Sequence, residues 1–495
     1  MNETYPRGAD PASSGPISGE QHRKPVDPGL PRPLLDHFAS RLNGRLILPQ
    51  DPDYEPARAL WNGMIDRRPA LVARCRGDDD VVASVNFARD NGLPLAVRGG
   101  GHGVAGQAVC DGGLVVDLSE MTDTDVDPEG STARAQGGCT LGDLDRATQR
   151  HGLAAPVGVV SATGIAGLTL SGGMGWLRRK YGLSCDNLIS ARVVTADGKL
   201  LTASGSENQD LFWAIRGGGG NFGVVTAFDY RLHPVGPEVF LCHVYYPLER
   251  AGEVLRACER YVAEAPEEAA PLAVLGRIPK AEAYPAAVHG QPFVAILAVS
   301  TGAGEDAAEV GGRALRPLRE VTEPLCDLSE HTAYTEAQKF LDDDYPDGRL
   351  YYWKSVNAPE LSDKLIERLT QHTAAAPSPD STIDVWYQGG AMARVGEQAT
   401  AFANRGVPYL FGIEGNWDHQ ADSERNLTWV RDTFADLRHF STGGIYLNFP
   451  GFLEEGEQLL REGYGGNYER LSAVKTKYDP GNLFRLNANI QPTSY

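Results

Sequence analysis

One histidine of this chain stands inside a glycine loop. Residues 101–106 read Gly-His-Gly-Val-Ala-Gly and fit the pattern G-x-G-x-x-G. That pattern holds a dinucleotide only where a strand precedes it and a helix follows, because the pyrophosphate sits at the helix N-terminus. Here a strand precedes the loop, but residues 107–121 predict a turn and a second short strand. The pattern disfavours a nicotinamide-binding fold and leaves two interpretations of His102, a cofactor contact or a residue that caps a turn.

Glycine offers another kind of chemistry in this loop. Without a Cβ atom, the backbone N–H groups of residues 99–103 can surround an anion such as a pyrophosphate. Two further stretches are rich in glycine, residues 156–188 and residues 211–228. The first of these lacks the Lys-Ser/Thr pair of a P-loop. Three such loops in one half of the chain predict a long, flat cofactor, and FAD fits that description better than a mononucleotide.

The composition narrows the classes of partner. The 495 residues carry a formal net charge of −19, which argues against nucleic acid or an anionic membrane surface. The seven cysteines include no C-x-x-C pair, so neither a zinc site nor a disulfide framework is expected, and no metal is predicted. No stretch approaches the roughly 18 apolar residues of a membrane span. We therefore expect a small-molecule substrate.

The N-terminal segment, residues 1–33, is rich in Pro, Gly and Ser. This composition predicts a disordered leader. The segment lacks the apolar core of a signal peptide, so a cytoplasmic location is predicted.

Three parts follow the leader. In residues 34–237, short helices alternate with glycine turns and β-branched runs. The elements predicted there are a helix over residues 79–92, a strand over 93–101, a helix capped by Thr140 with Asp143 and ended by Gly152, and a hairpin over 189–204. Residues 238–440 place long strands, at 348–356 and 381–390, between charged amphipathic helices, which is an α+β pattern. Residues 441–495 return to aromatic- and glycine-rich sequence and are predicted to be strand and loop.

Four motifs resemble those of the berberine-bridge-enzyme-like flavoproteins, within the vanillyl-alcohol oxidase and p-cresol methylhydroxylase (PCMH) superfamily. In chain order they are VRGGGHG, GLTLSGGMGWLRRKYGLSCDNL, NQDLFWAIRGGGGNFGVVTAF and YGGNYERLSAVKTKYDPGNLFRLNANI. The resemblance implies an α+β fold with a two-part PCMH-type FAD-binding domain. Residues 34–237 form its first part, and residues 441–495 complete it. Residues 238–440 form a substrate domain whose antiparallel sheet, flanked by helices, covers the isoalloxazine ring.

The resemblance also implies that the flavin is attached to the protein. The family's histidine, which is bonded through a ring nitrogen to the flavin 8α carbon, corresponds to His102. Such a substituent withdraws electrons and favours hydride acceptance. Many relatives add a second bond from a cysteine, and that position is Val160 here. We therefore expect FAD with one covalent link.

Other cofactor contacts carry over from the same motifs. The pyrophosphate contacts are expected from Arg98, Gly99, Gly100, Gly101, Gly103 and Gln107. The ribityl chain and ring are expected against Gly158, Ser161, Gly164 and Gly167, the adenine against the backbone of Val225, and a C-terminal strand under the flavin against Asn487 and Asn489. Thr163 corresponds to the position beside the flavin C4a edge.

The base that takes the substrate proton has two candidates. Tyr446 and Asn448 fit a Y-x-N strand that lies beside the ring in the family. A tyrosine with a pKa near 10 needs a favourable field to act as a base at neutral pH, and a buried core aromatic is the alternative. Glu414 lies near the glutamate of plant-type members, although an exposed edge carboxylate explains it equally well. Residues expected to line the substrate cleft are Trp353, Trp386, Gln388 and Tyr409.

These expectations predict an FAD-dependent oxidase. Hydride would pass from a secondary alcohol, of sugar, phenolic or polyketide type, or from an amine to FAD. Molecular oxygen would then take the electrons and form hydrogen peroxide, since Thr163 is nearly isosteric with a valine that leaves space for oxygen. The alternatives are a dehydrogenase that uses another acceptor and a flavin-binding protein with little turnover.

Overall fold

The computed structural model describes residues 29–264 and 267–493 of the chain. Most of the predicted leader, residues 1–28, lies outside the described residues. The first helix, α1, begins at Arg32, so the last two residues of the predicted leader are helical and that boundary is corrected. Pro31 and Pro33 fix the extended entry to this helix, since proline suits its first turn.

The first sheet carries the predicted strand that precedes the histidine loop. The elements of this region are α1 Arg32–Ser40, β1 Arg45–Ile47, α2 Tyr54–Arg58, β2 Leu71–Arg74, α3 Asp78–Asp90, β3 Leu95–Arg98 and β4 Leu114–Asp117. The strand order is β1-β2-β4-β3, in which β1 is antiparallel and the others are parallel. As predicted, residues 99–113 after β3 form a loop with no helix among them.

The second sheet has five antiparallel strands in the order β5-β6-β10-β8-β9. Its region contains β5 Thr124–Asp127, β6 Thr132–Gln136, α4 Leu141–Thr148, β7 Leu153–Ala154, α5 Ile165–Leu170, α6 Arg178–Tyr181, β8 Leu188–Val194, β9 Leu200–Ser204, α7 Gln209–Ala214, β10 Val224–Arg231 and β11 His233–Pro234. Thr140 and Asp143 form the predicted capping box of α4. The predicted hairpin joins β8 to β9 through Gly198, whose φ of 77° suits glycine.

The third sheet has eight antiparallel strands. Seven run in the order β15-β12-β14-β13-β18-β19-β17, and β16 also pairs with β12. The elements are β12 Glu238–Pro247, α8 Ala251–Glu264, β13 Leu272–Arg277, β14 Pro292–Val299, α9 Ala307–Arg319, β15 Cys326–Asp327, β16 Glu330–Ala333, α10 Tyr334–Ala337, β17 Leu350–Ala358, α11 Asp363–Ala374, β18 Thr382–Tyr387, α12 Ala391–Arg394, β19 Tyr409–Trp417 and α13 Ser423–Leu437. This arrangement agrees with the predicted antiparallel sheet flanked by helices.

The two faces of this sheet have different neighbours. Ile383 and Val385 of β18 pack in the core with side chains of α8, α11 and α13. The alternate residues of the same strand, Asp384 and Trp386, point to the other face, where they line a cavity. Because side chains alternate along a strand, one face builds the core while the other positions polar groups.

The C-terminal part differs from its prediction. Instead of strands, the described residues 441–493 contain two helices, α14 Glu457–Tyr464 and α15 Tyr468–Tyr478. Apolar residues recur at helical spacing through both, and Leu460, Leu471 and Val474 pack into the core of the second sheet. Tyr446 and Asn448 lie in a turn, and Asn487 and Asn489 lie in a loop. The strands expected for these four residues are therefore corrected.

Within the described ranges, no helix is long and apolar enough to cross a membrane. The same residues contain no group of three or more His, Cys, Asp or Glu side chains that could hold a metal ion. All seven cysteines are free thiols, and six of them are buried.

Candidate active site

A long cavity separates the glycine loops from the third sheet. Backbone of the loops after β3, around α5 and before β10 forms one wall. Side chains of β13, β14, β18 and β19 form the opposite wall. The turn at residues 446–450 and the loop at 484–488 close the space between them. The first wall, called the cofactor wall after its predicted role, offers backbone groups to the cavity, and the second, called the substrate wall, offers side chains.

The glycine wall is shaped by close approach of two backbones. A Cβ atom on Gly100 would lie 2.4 Å from the nitrogen of Gly164, and one on Gly164 would lie 2.4 Å from the nitrogen of Gly100. Only glycine permits this contact. A Cβ atom on Gly103 or Gly167 would meet no atom of the described residues within 4 Å, and both glycines line the cavity. The wall is thus a cradle with room for a ligand against its backbone.

His102 lies on this wall. Its ring stacks on Trp61 with centroids 4.1 Å apart and planes at 17°. Its Nδ1 lies 3.4 Å from Oγ1 of Thr163, and its Nε2 is buried without a hydrogen-bond partner in the described part of the chain. Burial lowers the pKa of His102 to about 4. The imidazole is therefore neutral at neutral pH and keeps a free lone pair.

Trp61 joins the histidine loop to the third sheet. Its indole stacks on Tyr351 of β17 at 3.7 Å and meets Trp353 edge to face at 5.4 Å. The next residue, Asn62, donates to the carbonyls of Val104 and Tyr351 at 2.8 and 2.9 Å. The flavin-attachment candidate, His102, is thereby connected to the substrate wall through rings in contact.

Tyr446 reaches the cavity from the closing turn. Its hydroxyl accepts hydrogen bonds from the amide of Asn448 at 2.8 Å and from the N–H of Met174 at 3.3 Å. Ser355 holds the Tyr446 backbone, accepting its N–H at 2.9 Å. Burial raises the pKa of Tyr446 to about 12, and the two donated hydrogen bonds oppose that shift because they stabilise the phenolate.

Glu414 lies on the opposite wall, in β19 between β17 and β18. It is 2% exposed, which excludes the exposed edge carboxylate that the sequence left open. The Tyr345 hydroxyl donates to its Oε2 at 2.8 Å. Burial and the nearby Asp384 carboxyl raise the pKa of Glu414 well above its ordinary value.

Two family models match the chain, the FAD binding domain over residues 69–204 and "Berberine and berberine like" over residues 445–491. The chain is 31% identical over 463 residues to the FAD-linked oxidoreductase YgaK of Bacillus subtilis, covering 92% of this chain and 98% of that one. It is also 31% identical over 465 residues to the (R)-6-hydroxynicotine oxidase of Paenarthrobacter nicotinovorans, covering 91% and 97%. The chain belongs to the berberine bridge enzyme-like FAD-linked oxidoreductases.

Solved structures of this family share the fold. The 6-hydroxy-D-nicotine oxidase of Arthrobacter nicotinovorans matches with a TM-score of 0.80 at 30% identity, covering 91% of this chain and 98% of that one. A chitooligosaccharide oxidase matches with the same TM-score at 21% identity, covering 93% and 100%. The second likeness shows the fold alone.

FAD is the cofactor of this family, and the unpaired polar atoms that line the cavity are compatible with it. Besides His102 Nε2, three buried polar atoms on the lining lack partners among the described residues: Gln107 Nε2 and Asn487 Oδ1 on the side of the glycine loops, and Trp386 Nε1 on the sheet. A pyrophosphate or flavin ring can satisfy such donors and acceptors, which are costly to leave unpaired. The cradle at Gly103 and Gly167 has the open backbone that a flat cofactor needs.

Most of the predicted contact residues reach this cavity. Those on its lining are Gly99, Gly100, Gly101, His102, Gly103, Gln107, Gly158, Thr163, Gly164, Gly167, Val225, Glu414, Tyr446, Asn448 and Asn487. Val160, at the position of the missing cysteine, also lies there. Trp353 and Trp386 line the substrate side as expected.

Five predicted residues lie off the lining, and hydrogen bonds to other groups account for three of them, Ser161, Arg98 and Tyr409. Ser161 is bound by Asp342, whose carboxylate accepts its N–H at 2.7 Å. The Arg98 guanidinium turns behind the loop and donates to the carbonyl of Ala57 at 2.7 Å. Asn489 is the residue directly after the loop at 484–488 that lines the cavity. Its Oδ1 is buried and has no hydrogen-bond partner within the described ranges. Tyr409 faces the helices, and its hydroxyl donates to the Glu259 carboxylate. Gln388 comes directly after the last residue of β18, Tyr387.

Sequence reasoning missed several residues of the site. Asp384, Asn416 and Tyr345 line the substrate wall. The period-2 alternation of strands would have placed Asp384 on the same face as Trp386, and Asn416 on that of Glu414. Trp61 stands far from any motif, and no local signal in the sequence points to it.

Proposed function

We propose that this protein is an FAD-dependent oxidase of a secondary alcohol or an amine, with oxygen as acceptor and hydrogen peroxide as product. One observation carries the proposal. The Tyr446 phenol, held by the Asn448 amide and the Met174 N–H, opens on a cavity shared by the glycine wall and the substrate sheet. Bound FAD supplies the acceptor for a hydride from the substrate carbon. The substrate O–H or N–H proton passes to a protein base, and oxygen takes up two electrons and two protons.

His102 is proposed as the one covalent attachment point. Its imidazole is neutral, and its Nε2 has no hydrogen-bond partner in the described residues. Stacking on Trp61 fixes the ring plane, so the lone pair of the unprotonated ring nitrogen has a fixed direction. Val160 lines the cavity with an aliphatic side chain where many relatives have cysteine, which supports a single link.

The cofactor contacts are proposed from the residues that line the cavity. The loop at residues 99–107 meets the pyrophosphate, the stretch at 158–167 meets the ribityl chain and ring, and the backbone of Val225 meets the adenine. Asn448 and Asn487 contribute amides from the C-terminal part. The domain boundaries after residues 237 and 440 and the cytoplasmic location stay predictions.

Tyr446 is proposed as the base, with Glu414 as the alternative. Two N–H donors point to the Tyr446 oxygen, and they stabilise the charge that develops there when the phenol loses its proton. Burial raises the pKa of both candidates, but the Asp384 carboxyl beside Glu414 opposes a charge on that group, whereas the donors at Tyr446 support one. The difference favours Tyr446, whose phenolate is stabilised by the Asn448 amide and the Met174 N–H.

Oxygen is proposed as the acceptor because of Thr163. Its side chain lines the cavity beside His102 and is nearly isosteric with valine, which is one methylene shorter than leucine. Space next to the ring would admit oxygen. A dehydrogenase with another acceptor, or a flavin protein with little turnover, is the alternative.

An anaerobic absorbance screen of sugars, phenols, hydroxylated alkaloids and amines tests the proposal. A substrate bleaches the flavin band without air, and admission of air restores it with one peroxide per bleaching cycle. Bleaching without reoxidation by air would indicate the dehydrogenase. If the protein contains flavin but no compound of these classes bleaches it, the protein is a flavin-binding protein with little turnover.

A further inference from the structure

Two carboxyl groups lie together on the substrate wall. Asp384 and Glu414 belong to the neighbouring strands β18 and β19, where Asp384 pairs with Gly412 and Thr382 pairs with Glu414. They are therefore diagonal neighbours on one face of the sheet. A Cβ atom on Gly412 would lie 3.4 Å from Asp384 Cβ and 3.7 Å from Glu414 Oε1. Because Gly412 has no side chain, the space between the two carboxyl groups stays open and they can approach each other.

The two groups cannot both carry a charge without a counter-ion. They are 3% and 2% exposed, and no ion pair joins either to a cation in the described residues. Thr382 donates to Asp384 at 3.2 Å and Tyr345 to Glu414 at 2.8 Å, which leaves one oxygen of each group facing the other. Burial raises the pKa of Asp384 to about 7, and burial together with the Asp384 charge raises that of Glu414 well above its ordinary value, so just above neutrality the pair holds one proton and one negative charge.

Cations near the pair are already engaged. Arg349 pairs with Asp418 at 2.9 Å and lies 3.8 Å from Asp380, and Arg277 donates to the carbonyl of Ala374. The other titratable groups on this wall add no positive charge; they are Asp344, Tyr345, Tyr245 and Tyr284. A buried negative charge without a partner is costly, and a cationic ligand would remove that cost.

The walls around the pair also suit a cationic nitrogen. Trp353 and Phe449 line the same space, and aromatic faces attract cations. Trp386, two residues after Asp384 on the same face, is 4% exposed, and its indole N–H has no partner within the described ranges. A ligand in the cavity can offer that N–H an acceptor atom.

We propose that Asp384 and Glu414 form the specificity site for a substrate with a protonated amine, and that this enzyme is an amine oxidase rather than an oxidase of neutral alcohols. The inference rests on the proposed function and narrows its substrate class. The shared negative charge binds the nitrogen, the aromatic rings flank it, and the Trp386 N–H meets an oxygen or nitrogen elsewhere on the ligand.

Binding of benzylamine and benzyl alcohol to the FAD-loaded protein tests this by calorimetry. The amine should bind at least about tenfold more tightly at pH 7.5 than the isosteric alcohol. Its affinity should fall toward pH 6, because protonation of the pair removes the negative charge while the amine stays cationic. Asp384→Asn should weaken amine binding about tenfold or more and leave alcohol binding within about threefold.

Asp380→Asn serves as the matched control. It removes a carboxylate from the same cavity, but one that Arg349 already compensates, so amine affinity should change little. Equal affinities for the amine and the alcohol, or equal losses in the Asp384 and Asp380 variants, would overturn the cation site. If the amine binds as expected but no amine or alcohol reduces the flavin, the proposed function fails while the cation site stands. If only alcohols bind and reduce the flavin, the proposed oxidase function stands while the cation site fails.

Discussion

The two walls of the cavity are built from different parts of the chain. On the cofactor wall the contacts come from backbone, and Gly100 and Gly164 approach so closely that no side chain fits between them. On the substrate wall the contacts come from side chains, and Asp384, Glu414 and Trp386 project from adjacent strands. A backbone wall can contact a ligand through atoms that every residue type carries. A side-chain wall can change its chemistry by single substitutions while the sheet stays the same.

Removing the proposed link from the cofactor wall should give the largest effect. In His102→Ala, flavin should no longer stay with acid-precipitated protein, whereas the parent pellet should be yellow. Peptide mapping of the parent should find one flavin-bearing peptide, and it should contain residue 102. His151→Ala, an exposed histidine of the same region, should keep its colour in the pellet. A flavin adduct on any cysteine would contradict the single link.

Changing the residue between the two walls should give the next largest effect. Tyr446→Phe should keep the attached flavin but slow its reduction by substrate by about 10²–10⁴-fold, the usual contribution of a positioned general base. Stopped-flow absorbance measures this step directly. If Tyr446→Phe reduces at the parent rate and Glu414→Gln does not, the substrate wall supplies the base.

The pH dependence of the same step should follow Tyr446. Burial raises its pKa to about 12, and the active form of a base is the deprotonated one. The rate of flavin reduction should therefore rise with pH and show no plateau below pH 9. A plateau that begins near pH 7 would mean that bound cofactor and substrate lower the pKa of this phenol strongly, or that another group is the base.

Changes at Thr163, which lines the cofactor wall, should have a smaller effect, on the rate of reoxidation by oxygen. Thr163→Leu should slow reoxidation of the reduced enzyme by about tenfold or more, since the larger leucine fills space next to the ring and a methylene-sized change in a tight pocket has effects of this order. Thr163→Val, of nearly parental size, should reoxidise close to the parent rate. Rapid mixing of reduced enzyme with aerated buffer gives both rates. Slow reoxidation of the parent itself would indicate another acceptor.

The smallest effect should come from the charge on the substrate wall. A carboxyl group whose pKa is raised by folding destabilises the fold at pH values above its unfolded pKa near 4, and the penalty disappears at lower pH. Without an amine, Asp384→Asn should thus raise the melting temperature by about 2 °C at pH 8 and less at pH 5. Asp418→Asn, at an exposed position, should shift both values equally. A larger gain at pH 5 would contradict the buried charge.

The same difference between the walls explains what the sequence could predict. Glycine spacing identified the cofactor loops, and Thr140 and Gly198 marked a cap and a hairpin, because each acts through its own local backbone. Asp384 and Glu414 meet only through the pairing of β18 with β19, which no local pattern specifies. The C-terminal helices were mistaken for strand because glycines such as Gly465, between α14 and α15, obscured the helical spacing of the apolar residues.

The stack of His102, Trp61 and Tyr351 has a consequence for precision. Asn62 and Tyr351 are 289 residues apart in the chain, yet they are hydrogen-bonded beside this stack. Small errors in the placement of so many intervening residues would accumulate if chain connectivity alone set the separation of the two walls. Here the separation is set by stacked aromatic rings, which hardly compress. The ring centroids of Trp61 and His102 lie 4.1 Å apart, and those of Trp61 and Tyr351 lie 3.7 Å apart. The spacing of the two walls beside His102 is therefore set by local ring contacts, whatever the length of the chain between them.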